Sequence, residues 1–144
     1  MKSCAFFGHS KGGYRGVEEK LREVIKVLIE QEGVFQFYLG ARGAFDVLCV
    51  RILNELKQEF PIIKITKVLS YIPKVNEDSM LACFDDSIYL LERNVPPKYA
   101  IIETNLLLVK KVDFIVSGVR YTFGGAVKAV EYARKKGKIV IDIL

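Results

Sequence analysis

Tryptophan is missing from these 144 residues, and histidine occurs once, at His9. With no second histidine and no CxxC pair, a metal site has no ligand set, and neither metal nor cofactor is expected. Cysteine is sparse as well. Cys4, Cys49 and Cys83 are odd in number and irregularly spaced, which fits buried free thiols in a reducing compartment better than disulfides. No apolar run approaches the roughly 18 residues that a membrane span requires, and the apolar run in "MKSCAFFGHS" is too short for a signal peptide. A cytoplasmic chain with no membrane partner is therefore expected. The net charge is +5 and the pI about 9.1, yet no block of lysine and arginine is long enough to form a nucleic-acid arm. Aromatic residues do not interleave with basic ones on one strand face, so the sequence argues against a nucleic-acid partner. The GxGxxG, GxxxxGK[ST] and GxSxG patterns are also lacking, which disfavours an ordinary dinucleotide fold, a Walker-type ATPase and a nucleophile-elbow hydrolase.

What is present is an alternation of apolar strands with one-sided helices. Half the chain is hydrophobic (51%), enough for one compact domain spanning residues 1–144. "SCAFF" reads as a strand ending at Gly8. Val17, Leu21, Val24, Ile25 and Leu28 then recur at helical spacing up to Gly33. "VFQFYLG" is the second strand. Phe45, Leu48, Cys49, Ile52, Leu53 and Leu56 mark a helix that finishes before Pro61. "IIKITKVL" is the third strand. Residues 70–96 lose periodicity, apart from "SIYLL", a short strand or turn. A loop of that length suggests a lid over a site. Pro96 and Pro97 open a helix to about Lys111, apolar on nearly every side and so expected to be buried. "DFIVSGV", "GGAVKAVEYARKKG" and "KIVIDI" supply a strand, a helix and the last strand. The order predicts an α/β, Rossmann-like, doubly wound parallel sheet of five strands, 3-2-1-4-5, with helices on both faces.

Such a sheet binds ligands outside the carboxyl ends of its strands, where the connections reverse direction. That rule selects Gly8, His9 and Ser10 after strand one and the residues up to Gly124, Gly125 and Ala126 after strand four. Gly40, Arg42, Gly43 and Asp46 flank them after strand two. Paired glycines at a helix mouth leave amide hydrogens free for a phosphate, although a tight turn alone would also use them. His9 is either a structural histidine or a ligand contact. Asp46 either favours its helix dipole or holds a sugar hydroxyl. Glu131 lies seven residues beyond Gly124, about two turns on, and is either a solvated helix residue or a catalytic carboxylate. The cluster Arg134, Lys135, Lys136 and Lys138 suits a helix carboxyl end.

Taken together, "CAFFGHS", "FYLGARGAFD", "YAIIETNLLLVKKVDFIVSGV" and "GGAVKAVEYARKKGK" resemble the YpsA-like branch of the SLOG superfamily. These are Rossmann-like domains of bacteria and phages, many of unknown function. The resemblance implies a nucleotide or nucleotide-derived ligand at the carboxyl edge of the sheet, in a sensing or signalling role. It places Gly8, His9 and Ser10 in the first motif and Gly40, Gly43 and Asp46 in the second. Asn105 falls in the buried-helix motif and Gly124 and Gly125 in the last. More distantly, the "lonely guy" phosphoribohydrolases share a GGxGTxxE loop that Gly124, Gly125 and Glu131 fit, with Val127 and Lys128 at its glycine and threonine. That likeness implies the alternative of N-glycosidic cleavage of a nucleoside 5′-monophosphate, with Glu131 as the catalytic residue. The family's arginine before the asparagine is replaced here by Thr104, leaving Lys98, Arg93 or Arg120 to compensate. A homo-oligomer is compatible with all of these readings.

Overall fold

The computed structural model describes residues 2–40, 43–71, 83–120, 122 and 124–144. Strand β1 (Lys2–Gly8) is followed by α1 (Glu18–Glu30), β2 (Val34–Leu39), α2 (Ala44–Glu59) and β3 (Lys64–Leu69). Then come β4 (Asp86–Tyr89), α3 (Pro97–Lys111), β5 (Phe114–Gly118), α4 (Gly125–Lys135) and β6 (Ile139–Asp142). Every strand pair is parallel, and α1, α2, α3 and α4 lie in the connections that cross the faces of the sheet.

Side-chain alternation along the strands builds two cores. On one face Cys4, Phe6, Phe37, Ile65 and Val116 pack with Leu21 and Ile25 of α1 and with Phe45, Ile52 and Leu53 of α2. On the other, Ala5, Phe7, Val68 and Ile115 meet Leu108 and Val109 of α3 and Ala129, Val130 and Ala133 of α4. Burying β1 on both faces explains why "CAFF" is continuously apolar rather than alternating. Cys4 and Cys49 are free and fully buried, and burial pushes both thiols up, away from reactivity. No helix among the described residues is long and apolar enough to cross a membrane.

The sheet has six strands in the order β4-β3-β2-β1-β5-β6, which corrects the five-strand expectation. The expected order survives as the run β3-β2-β1-β5-β6, everything but the β4 edge. The added strand, β4, overlaps "SIYLL", read as a short strand or turn and left out of the strand order, and it pairs with β3 from Thr66↔Asp86 to Leu69↔Tyr89. It is an edge strand with little burial, held by the backbone ladder rather than by an apolar face, so no side-chain period announces it. Residues 72–82 of the suggested lid lie outside the described residues. A second correction concerns α3. Thr104, Asn105, Leu108 and Val109 are buried, but Tyr99 and Ile101 are exposed, since the helix covers the sheet with one side only.

Candidate functional site

β1 and β5 are neighbours, and their last residues, Gly8 and Gly118, lie side by side. Beyond them the chain diverges, toward α1 on one face and α4 on the other. This is the reversal point of the sheet, and the crevice opens there. Two hydrogen bonds fasten the two departing loops together, and a third braces the first loop. The Tyr14 hydroxyl donates to the Gly118 carbonyl at 2.7 Å and accepts from the His9 N–H at 2.8 Å. The Arg120 N–H donates to Nε2 of His9 at 2.8 Å. An accepting Nε2 puts the neutral ring's proton on Nδ1. Burial, and then the nearby Arg120 charge, hold His9 below its ordinary pKa, in keeping with that neutral form. Burial is also the main reason the Tyr14 hydroxyl titrates above its usual range.

Phe45, in the first turn of α2, lies across both strand ends. A Cβ on Gly8 or on Gly118 would overlap its ring, and one on Gly43 would overlap the backbone of Ser10. These glycines therefore have a packing reason that owes nothing to a ligand. Tyr14 packs against the same ring at a tilt of 48°, centroids 5.0 Å apart, and the Arg120 guanidinium lies 5.0 Å from the centre of the Tyr14 ring.

The two helix mouths at the crevice differ. That of α2 is filled from within: Ala44 N–H donates to the Ser10 carbonyl at 3.0 Å and Phe45 N–H to the His9 carbonyl at 3.4 Å. That of α4 is not. Gly124 has φ +111°, a backbone region open chiefly to glycine, and no side chain caps the helix. The first helical bond runs from Lys128 N–H to the Gly124 carbonyl at 3.2 Å. Ahead of it, the amides of Gly125, Ala126 and Val127 meet no acceptor among the described residues, and a Cβ at Gly125 would meet nothing there within 4 Å. Free donors and the positive end of the dipole suit an anion.

Both mouths border one cleft of about 590 Å³, within the size range of small-molecule sites. The structure brings Gly8, His9, Ser10, Gly40, Gly43, Asp46, Asn105, Gly124, Gly125 and Ala126 to its wall. Arg42 lies outside the described residues. Glu131 is not on this wall. It is exposed on α4 and borders a separate depression with Leu106, Lys128, Tyr132, Arg134 and Lys135. Seven residues from Gly124 is nearly two full turns, but the buried side of α4 carries Val127, Val130 and Ala133, and Glu131 falls between Lys128 and Lys135 on the other side. Among the described residues no group of three or more His, Cys, Asp and Glu is placed to hold a metal.

No protein-family model matches the chain, and no curated protein sequence does. Solved structures do. DNA processing protein A (DprA) from Streptococcus pneumoniae superposes with a TM-score of 0.71 at 15% identity, over 98% of this chain and 50% of that one. DNA processing protein A from Helicobacter pylori, described for its single-stranded DNA binding mode, gives 0.68 at 13% identity, over 98% and 64%. The protein TM1055 gives 0.59 at 16% identity, over 97% and 72%. The likeness is one of fold. This chain spans about half the length of the Streptococcus protein. The expectation against a nucleic-acid partner is corrected by these neighbours, since the same Rossmann-like layout occurs in a protein that binds single-stranded DNA. Phosphate contacts from dispersed cations can hold a nucleic-acid backbone without a basic arm or an aromatic strand face, so the lack of both does not exclude such a partner.

Several wall residues carry no sequence motif. Lys11 supplies a cation from the "GHSKGG" loop, while Val68, Ile101 and Leu108 make an apolar side. Ile101, Asn105 and Leu108 follow one another at i, i+4 and i+7, so one stripe of α3 presents an amide between two aliphatic side chains. That spacing was the signal to find. None of the cations considered as substitutes for the arginine replaced by Thr104 lines the cleft. Arg93 pairs with Glu103, Arg120 lies over Tyr14, and Lys98 lies over Tyr99. The Thr104 hydroxyl itself is fully buried, with no hydrogen-bond partner among the described residues.

Proposed function

We propose that residues 1–144 form a single SLOG-type domain of the YpsA-like branch, which binds a nucleotide or nucleotide-derived small molecule at the carboxyl edge of the sheet. In this reading the ligand's phosphate sits on the amides of Gly125 and Ala126, with Lys11 as a nearby cation. Its sugar lies toward Asp46, and its base lies along Ile101 and Leu108, with Asn105 offering an amide. The observation that carries the reading is the unfilled mouth of α4, which opens onto the same cleft as the end of β1 while the mouth of α2 is filled.

Calorimetry against nucleoside mono- and diphosphates, ADP-ribose and a short single-stranded oligonucleotide tests it. Gly125→Ala provides the control, because the added methyl has open space around it. The variant is expected to melt no lower than wild type and to bind about tenfold more weakly or worse, from obstruction of the amide surface. Unchanged affinity in the variant, or no heat from any ligand at millimolar concentration, refutes the reading. Analysis of the same mixtures for free base distinguishes binding from N-glycosidic hydrolysis. Asp46 is the carboxylate on the cleft wall among the described residues, so any hydrolysis would be expected to fall with Asp46→Asn rather than with Glu131→Gln.

A further inference from the structure

The two edges of the sheet are built differently. At one edge, β4 carries Asp86 and Ser87, and Asp86 pairs with Lys64 of β3 at 3.4 Å. Charges on an edge are a usual protection against pairing. At the other edge, β6 reads Ile139-Val140-Ile141-Asp142, with Ile139 56% exposed. No described element pairs with its outer side.

The direction of its backbone groups follows from one bond. Ile143 N–H donates to the Ser117 carbonyl of β5 at 3.1 Å, and the register aligns Val116↔Ile141 and Ser117↔Asp142. In a parallel ladder alternate residues face the neighbour. Ile139, Ile141 and Ile143 thus spend their amides on β5, and Val140 and Asp142 turn theirs outward. Side chains alternate too. Ile141 and Ile143 join the α1–α2 core and Val140 joins the α3–α4 core. Lys138 and Asp142 belong to the Val140 face, where Lys138 Nζ reaches the Lys110 carbonyl and Asp142 meets Arg134 at 2.7 Å.

We infer that β6 pairs antiparallel with β6 of a second copy about a two-fold axis at Val140, joining the two sheets edge to edge. In that register Val140 faces its own counterpart, both with outward amides. Asp142 of each copy faces Lys138 of the other, and Ile139 faces Ile141. Lys138 N–H is already donated to the Ala133 carbonyl, which leaves the Lys138 carbonyl to accept from Asp142 N–H of the other copy. The sequence Lys-Ile-Val-Ile-Asp is charge-complementary to itself only when antiparallel and centred on Val140, and that is also the centre its outward amides require. A parallel pairing in register would put like charges together. The contact of Asp142 with Arg134 is solvent-exposed and so a weak competitor. The same surface patch serves both copies, as a two-fold contact demands.

Sedimentation velocity over a concentration series tests this on the 144-residue chain, with circular dichroism to show that each variant is folded. Wild type is expected to sediment as a dimer. Asp142→Lys sets lysines opposite one another twice and should raise the dimer dissociation constant about tenfold or more. Adding Lys138→Asp to it exchanges both charges and should restore dimerisation. Val140→Pro removes an outward amide without taking a donor from the β5 ladder and should also give monomer. A monomeric wild type, or a dimer indifferent to Asp142→Lys and Val140→Pro, overturns the inference. So does a double variant as monomeric as Asp142→Lys.

Discussion

Replacing Tyr14 with phenylalanine isolates the fastening between the two strand ends. The ring remains, so its tilted contact with Phe45 is kept and no cavity forms. What is lost is one oxygen that donates to Gly118 and accepts from His9. Tyr14 is 7% exposed and the Gly118 backbone is buried, so the orphaned carbonyl has little access to water. Leaving a buried polar group unsatisfied costs about 1–3 kcal/mol. The His9 amide lies nearer the surface, regains water and adds less. We expect a destabilisation of about 2 kcal/mol, which for a chain of this size lowers the melting temperature by about 4–8 °C. Urea titration followed by circular dichroism is the assay. The midpoint should fall with the slope unchanged, because the surface exposed on unfolding is the same. A variant within about 0.5 kcal/mol of wild type, the range of an ordinary surface change, would mean that Tyr14 does not bridge the loops.

Two further outcomes follow from the same constellation. Gly8→Ala forces a methyl into the Phe45 ring and should cost about 1–3 kcal/mol by overpacking; adding Phe45→Leu should return part of that loss in urea melts, and a fully additive double variant would count against the contact. For His9, the lowered pKa means that the folded state resists protonation below the ordinary value of 6.5 while the unfolded chain accepts the proton. Its contribution to stability is intact above that value and declines as the pH falls through and below it, so wild-type melting temperatures should drop between neutral and mildly acidic pH more steeply than those of His9→Gln, and parallel profiles would refute the assignment.

Much of the architecture is readable from periodicity because each helix must bury one side and each central strand both. α1 and α2 carry their apolar residues at helical spacing, and the glycines after β1 and β2 close those strands where expected. β4 was readable only as a short strand or turn at "SIYLL", and its place in the sheet was not, because its stability lies in backbone pairing with β3, to which Asp86 and Ser87 contribute no pattern. At the site, position in the topology found more than residue chemistry did. The reversal point singled out Gly8, His9 and Gly124, with Asp46 flanking them, and all four line one cleft. The reason for Gly8 was not readable, since it depends on Phe45, which is remote in sequence. Glu131 shows the converse: a spacing of nearly two turns says how far along a helix a residue lies, and the phase of the buried stripe says which way it points.

The loop that leaves β1 gives its carbonyls to one helix and leaves the other bare, and this inequality has a directional consequence. Two dipoles converge on the crevice, but one is already neutralised by the chain's own oxygens. An elongated guest with a single charged end would meet one attractive terminus instead of two equal ones. Its heading along the rim of the sheet would thus be dictated before any side chain discriminates among guests.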